Sequence, residues 1–292
     1  MLKPSLCLQT RRLAAILAVC LCAAGPAYPQ DPSPAAKPAQ TPAQPDAKAN
    51  DAFLAKAATL YYSPAKAGLN AFNCDVHPDW RALFLSANKG SAVAADDPRI
   101  VLLQTVNITL HGRLKGGSAI DWNPPPVDPA KPLDQDSSAL IDNMQKATDQ
   151  TLQGFMQFWT PFVDGSAVPA SSDGLVITQN EKGEHTLRAD QAGTSVTEVM
   201  DVNNVLTHFN VVMSGATVNF SPSYKHTEKG LLVSGFLANI LPAGTPADQA
   251  QEMHVGIDYQ TMDGFYIPSR LNMEVVGTGI FNFTMDGCKV NP

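Results

Sequence analysis

Motifs that carry chemistry are what this sequence lacks. It contains no Gly-x-Ser-x-Gly elbow, which argues against the strand–turn–helix nucleophile of the α/β-hydrolases. It has no glycine loop of the kind that cradles phosphates. The six histidines are His77, His111, His185, His208, His226 and His254, and none forms a His-x-x-x-His or His–Glu pair at helical spacing. A helical zinc site therefore has little support. Nothing in the pattern calls for a cofactor. No repeat at solenoid spacing is visible. Basic runs are also missing, and the formal charge is −7. An acidic chain of this kind argues against nucleic acid as a partner and against electrostatic docking on anionic lipid.

What is present begins with a three-part leader over residues 1–27. Lys3, Arg11 and Arg12 form a basic start, Leu13 to Ala24 an apolar run, and small residues precede Pro26 and Ala27. The run is too short for an ordinary membrane span and reads as a secretory signal peptide, cleaved after Ala24 or Ala27. Val19 before Cys20 and Leu21 before Cys22 lack the small residue that a lipidated cysteine needs. The expected location is periplasmic or secreted. Removing the leader takes three basic residues, so the mature chain is more acidic still. It also takes Cys7, Cys20 and Cys22, leaving Cys74 and Cys288. In an oxidising compartment these two are expected to form a disulfide; two buried thiols are the alternative. Residues 28–50, with six prolines among Ala, Gln, Lys and Asp, read as a disordered linker. Residues 51–292 then form one domain.

That domain starts with an expected helix from Asp51 to Tyr62. An extended stretch follows, with Phe72, Cys74 and Val76 alternating against Asn73 and Asp75. Pro78 opens a short helix, and Asp97-Pro98 begins another brief turn carrying Ile100 and Leu103. Val106, Ile108, Leu110 and Leu114, with Ile120 and Trp122, make a hairpin around Lys115-Gly116-Gly117. Pro124 to Pro132 is a rigid connection. Ser138 to Thr160 carries Ile141, Met144, Thr148, Leu152, Phe155, Trp159 and Phe162 at steps of three and four, which predicts an amphipathic helix about 35 Å long that Pro161 stops. Asp134, Asp136 and Asp142 read as helix-start charges. Beyond Gly165 the chain is almost entirely β. The clearest part is Gln251 to Asp286, where Met253, Val255, Ile257 and Tyr259, then Leu271, Met273 and Val275, then Phe281, Phe283 and Met285 alternate with polar residues. Asp263-Gly264 and Gly277-Thr278-Gly279 separate the three strands. The fold class is α+β: a large curved antiparallel sheet, a half-barrel of about eleven strands, covered by helices including one long one.

This order of elements, with Tyr259 followed by Asp263-Gly264-Phe265-Tyr266-Ile267-Pro268-Ser269-Arg270-Leu271, resembles the periplasmic lipoprotein-carrier superfamily of Lol-type carriers and their mycobacterial lipid-binding relatives. Lys229-Gly230-Leu231-Leu232-Val233-Ser234-Gly235-Phe236 is similar to another closing strand of such proteins. The chain also looks like other secreted bacterial proteins. The resemblance implies a half-barrel with a helical lid over an apolar concavity. A buried arginine that holds the lid in the carriers would have Arg113 as its counterpart, but Arg113 falls on the polar parity beside His111.

The expectation is a non-enzymatic extracytoplasmic protein that binds a hydrophobic small molecule, a lipid or an acyl chain, between the sheet and the long helix. Its lining would be Leu152, Phe155, Trp159, Phe162, Ile257, Tyr259, Leu271, Met273 and Phe283. A filled core produces the same alternation. The alternative is therefore an envelope structural domain that binds an envelope protein through an edge or loop. A secreted hydrolase with dispersed catalytic residues is the third.

Overall fold

The computed structural model describes residues 47–87, 93–94, 96–114, 117–123, 134–164, 167–191 and 193–292. The leader, nearly all of the linker and the Pro124–Pro132 connection lie outside them. In chain order the elements are α1 (Ala47–Ala58), β1 (Ala71–Pro78), α2 (Trp80–Ala87), α3 (Pro98–Gln104), β2 (Asn107–Arg113), β3 (Ala119–Asn123), α4 (Gln135–Asp164), β4 (Val176–Gln179), β5 (His185–Gln191), β6 (Thr194–Met200), β7 (Leu206–Val212), β8 (Ala216–Thr227), β9 (Gly230–Pro242), β10 (Gln251–Met262), β11 (Phe265–Val275) and β12 (Gly279–Val290).

All twelve strands form one open antiparallel sheet in the order β3-β2-β1-β12-β11-β10-β9-β8-β7-β6-β5-β4. From β4 to β12 each strand pairs with its sequence neighbour, so hairpin chemistry sets the register. Asp263 (φ 47) and Gly264 (φ 81) both take positive φ, the two-residue turn whose twist matches the flanking strands. β1 then enters between β2 and β12, with Val76 opposite Met285 on one side and Ile108 on the other. Cys74 and Cys288 are joined by a disulfide across this non-local seam, 214 residues apart in sequence. In the loop-entropy account such a closure stabilises by about 5 kcal/mol.

Strand parity puts one apolar row after another on the inner face. Leu110, Cys74, Met285, Leu271, Ile257, Phe236 and Phe220 all lie in it and are buried. Gly112 is a glycine because a Cβ there would sit 2.4 Å from the Phe72 ring, its cross-strand neighbour. Arg113 is exposed, as its parity implies.

Several boundaries differ from those expected. α1 begins at Ala47 and ends at Ala58, and Asn50 is buried. The last four linker residues therefore belong to the domain. β8 continues through Pro222 to Thr227. α4 starts three residues early, where Asp134 accepts the Ser137 N–H at 2.8 Å. That bond holds the Asp134 carboxyl below the usual range. α4 also runs through Pro161 to Asp164, giving 30 residues, or about 45 Å. A proline inside a helix costs about 3 kcal/mol. Past it lie Phe162 and Val163, both buried, and each large apolar side chain contributes about 1.5–3 kcal/mol. The Val163 carbonyl is satisfied by the Ala65 N–H at 3.3 Å and the Ser63 hydroxyl at 3.1 Å. Burial and capping together outweigh the lost helical bond.

Candidate functional site

The C-terminal half of α4 presses on the inner face. Leu152, Phe155, Trp159 and Phe162 are 0 to 8% exposed. The sheet residues Ile257, Leu271, Met273 and Phe283 are 0 to 5% exposed. The expected lining residues thus share one hydrophobic cluster, with Tyr259 packed half-buried against it. Trp159 stands edge-on to Phe72 at 5.8 Å and stacks loosely on Phe155 at 6.2 Å. Its Nε1–H donates to the Tyr259 hydroxyl at 2.9 Å, and that hydroxyl donates to the Val233 carbonyl at 2.6 Å. Burial pushes the Tyr259 phenol up, so it stays neutral and keeps the proton this relay needs. This relay between helix and sheet is therefore fully hydrogen-bonded, whereas Gln157 Oε1 on the same half of the helix is buried with no partner among the described residues.

Beside it lies a second aromatic group that the sequence reading omitted. Phe158 meets Phe236 at 3.8 Å, Phe162 at 5.0 Å and Phe220 at 5.8 Å. Phe162 in turn meets Phe209 at 6.0 Å. Phe158 sits three residues after Phe155 and four before Phe162, so helical spacing already placed it on the same face. Phe209, Phe220 and Phe236 lie on strands whose mutual register could not be read before their pairing was known. The packed walls also carry a geometric consequence. A void wide enough for an acyl chain would leave the residues around it accessible, and these are not. The helix packs directly on the inner face of the sheet through these residues.

A further set of polar groups enters the inner face toward β5–β8. Glu198 stands opposite Leu187 and Phe209, hence on the inner side. The Tyr61 hydroxyl accepts the Leu206 N–H at 2.7 Å, and the Tyr61 and Tyr224 rings meet edge-to-face at 5.5 Å. Burial raises both phenols, Tyr224 the more strongly, with Glu198 adding to each shift. His185 lies under Phe53 of α1 at 4.2 Å, and burial lowers its imidazole. α1 is therefore the second cover of the sheet, pinned where the Ser172 hydroxyl donates to Asp51 at 2.7 Å.

The N-terminal half of α4 is held differently. Leu140, Ile141 and Met144 are only half-buried. Trp122 of β3 donates its Nε1–H to Asp149 at 2.9 Å. Burial raises the Asp149 carboxyl, and the Trp122 bond opposes that rise.

No family model, no curated protein and no solved structure matches this chain.

Most of the histidines are scattered over the outer face. His77 pairs with Asp286 at 3.0 Å and His111 with Asp121 at 2.9 Å. His254 pairs with Glu252. Among the described residues no three His, Cys, Asp or Glu side chains come together as a metal site.

Proposed function

We propose that this chain is a non-enzymatic, exported binding protein for a hydrophobic ligand, a lipid or an acyl chain, with α4 as its lid. The observation that carries the reading is the make-up of the helix–sheet contact. An open sheet, not closed into a barrel, has the centre of its apolar inner face covered by an amphipathic helix through Leu152, Phe155, Phe158, Trp159 and Phe162. Where α4 faces the closing strands, one hydrogen-bonded relay supplements those contacts. An acyl chain that replaced the helix stripe would recover burial of about 0.8 kcal/mol per methylene. A dozen methylenes would then offset displacement of four or five large side chains at about 1.5–3 kcal/mol each. Exchange of one apolar surface for another is thus close to balanced, which is what reversible loading needs. The buried polar groups at Glu198, Tyr61 and Tyr224 give the groove a polar end for a head group. The leader read in the sequence, and the resemblance to lipoprotein carriers, support an activity in the periplasm or outside the cell.

The tight burial of the same residues favours a second reading, an envelope domain with a permanently filled interior that binds a protein partner. Titration with a fluorescent fatty acid separates the two. Saturable uptake accompanied by a change in Trp159 emission supports the carrier. A flat titration across the accessible concentration range rejects it and leaves the filled domain.

A further inference from the structure

The outer face of the sheet carries a concave site away from the helix-covered interior. Two rows of residues cross strands β8 to β12 side by side. In one, Leu237, His254, Glu274 and Ile280 stand opposite one another. In the next, the order is Ser223, Gly235, Gly256, Asn272 and Asn282. Two adjacent glycines take the side chains out of the second row. The result is a trough of about 430 Å³, within the usual span of about 300–1,000 Å³ for small-molecule sites.

The glycines differ in cause. A Cβ on Gly235 would meet the Val255 carbonyl oxygen at 2.2 Å, so the backbone itself demands glycine there. A Cβ on Gly256 would meet nothing closer than Asn272, at 3.9 Å. A side chain fits at Gly256, and a glycine inside a strand weakens it. Glycine inside a strand leaves room for a ligand or another backbone to approach closely, and with no side chain nearer than 3.9 Å this position is open to a ligand.

The walls tell what that something is. Asn272 and Glu274 are exposed. Among the described residues none hydrogen-bonds the side chains of Asn272, Glu274 or Asn282. Two amides offer donors and acceptors together, Glu274 offers acceptors, and Ser223 a hydroxyl. His254 is oriented by its pair with Glu252. Leu237 and Ile280, 37% and 38% exposed, close the other row with aliphatic surface. An anion would be repelled by Glu274. A cationic side chain would use Glu274 and the amide oxygens and leave the amide N–H donors idle. A neutral ring carrying several hydroxyls and C–H faces uses every group. We propose that the Gly256 trough, walled by Ser223, His254, Asn272, Glu274 and Asn282, binds a carbohydrate. This site stands independently of the ligand proposed for the interior.

The test is amide-resolved NMR of the labelled protein titrated with maltose, cellobiose and N,N′-diacetylchitobiose. At least one sugar should give saturable shifts at the Gly256 backbone and the Asn272 and Asn282 side-chain amides. Gly256→Thr puts a good strand residue into open space, so it should keep the melting temperature and weaken that sugar at least tenfold. Asn272→Ala, at an exposed position, should weaken it likewise and serves as the readout should Gly256→Thr melt early. No saturable shift with any of the three sugars overturns the proposal. So do shifts that survive both substitutions, or a preference for trilysine over every sugar.

Discussion

The two halves of α4 belong to one helix and do different work. From Leu152 to Val163 the apolar stripe is sealed against the sheet, from Phe72 of β1 to Phe209 of β7. From Gln135 to Ala147 the same periodicity continues, yet Leu140, Ile141 and Met144 stay half in water. The second half is part of the core. The first is a lever lying near β3 and α3, tethered at its base by the Trp122–Asp149 bond. Local stability follows local burial, so opening should begin at the lever and reach the aromatic half only at greater cost. A lid that exchanges ligand needs this gradient.

The largest expected contrast is between matching substitutions in the two halves. Phe155→Asp removes a buried ring and strands a charge, and should cost about 4 kcal/mol or more in urea unfolding. Met144→Asp should cost less than about 1 kcal/mol. Equal losses would erase the distinction. Next in size, opening the Cys74–Cys288 bond by Cys288→Ser should cost about 2–5 kcal/mol. Because it frames the sheet below both halves, it should leave their relative amide protection unchanged. Non-reducing and reducing gels should also differ in mobility. Smaller again, Trp122→Phe removes one hydrogen bond, worth about 1 kcal/mol. Hydrogen exchange should quicken over residues 135–150 and hold steady over 152–163. The smallest effect is that of pH. Asp149 is half-buried and its folded pKa is raised, so the folded state holds its proton more tightly than the unfolded chain. The contribution is most favourable at acid pH and declines as pH rises through the raised value. Protection factors over 135–150 should fall across that window, and Asp149→Asn should flatten the dependence.

The alternation of Met253 to Tyr259, Leu271 to Val275 and Phe281 to Met285 was legible because each strand has one wet side and pairs with its neighbour. The α+β class, the long helix and the cysteine pair were legible for similar reasons. The insertion of β1 beside β12 was not, since nothing local encodes a partner more than two hundred residues away. Pro161 looked like a stop because local rules weigh the missing N–H and cannot weigh the burial of Phe162 and Val163 beyond it. The nine residues expected on the interior surface do come together. What period-two reading could not separate was a lined groove from a packed one, nor could it see that Glu198 faces inward. The trough at Gly256 was equally hidden, because a glycine in a strand acquires meaning only from what surrounds it.

The role proposed for α4 is to cover a surface that takes an apolar guest. Native mass spectrometry of the protein purified gently from the cells that make it addresses this directly. A population heavier than the polypeptide by the mass of a lipid or fatty acid, lost on collisional heating, is the expected result. The bare polypeptide mass alone, in preparations that also take up no added fatty acid, would contradict it.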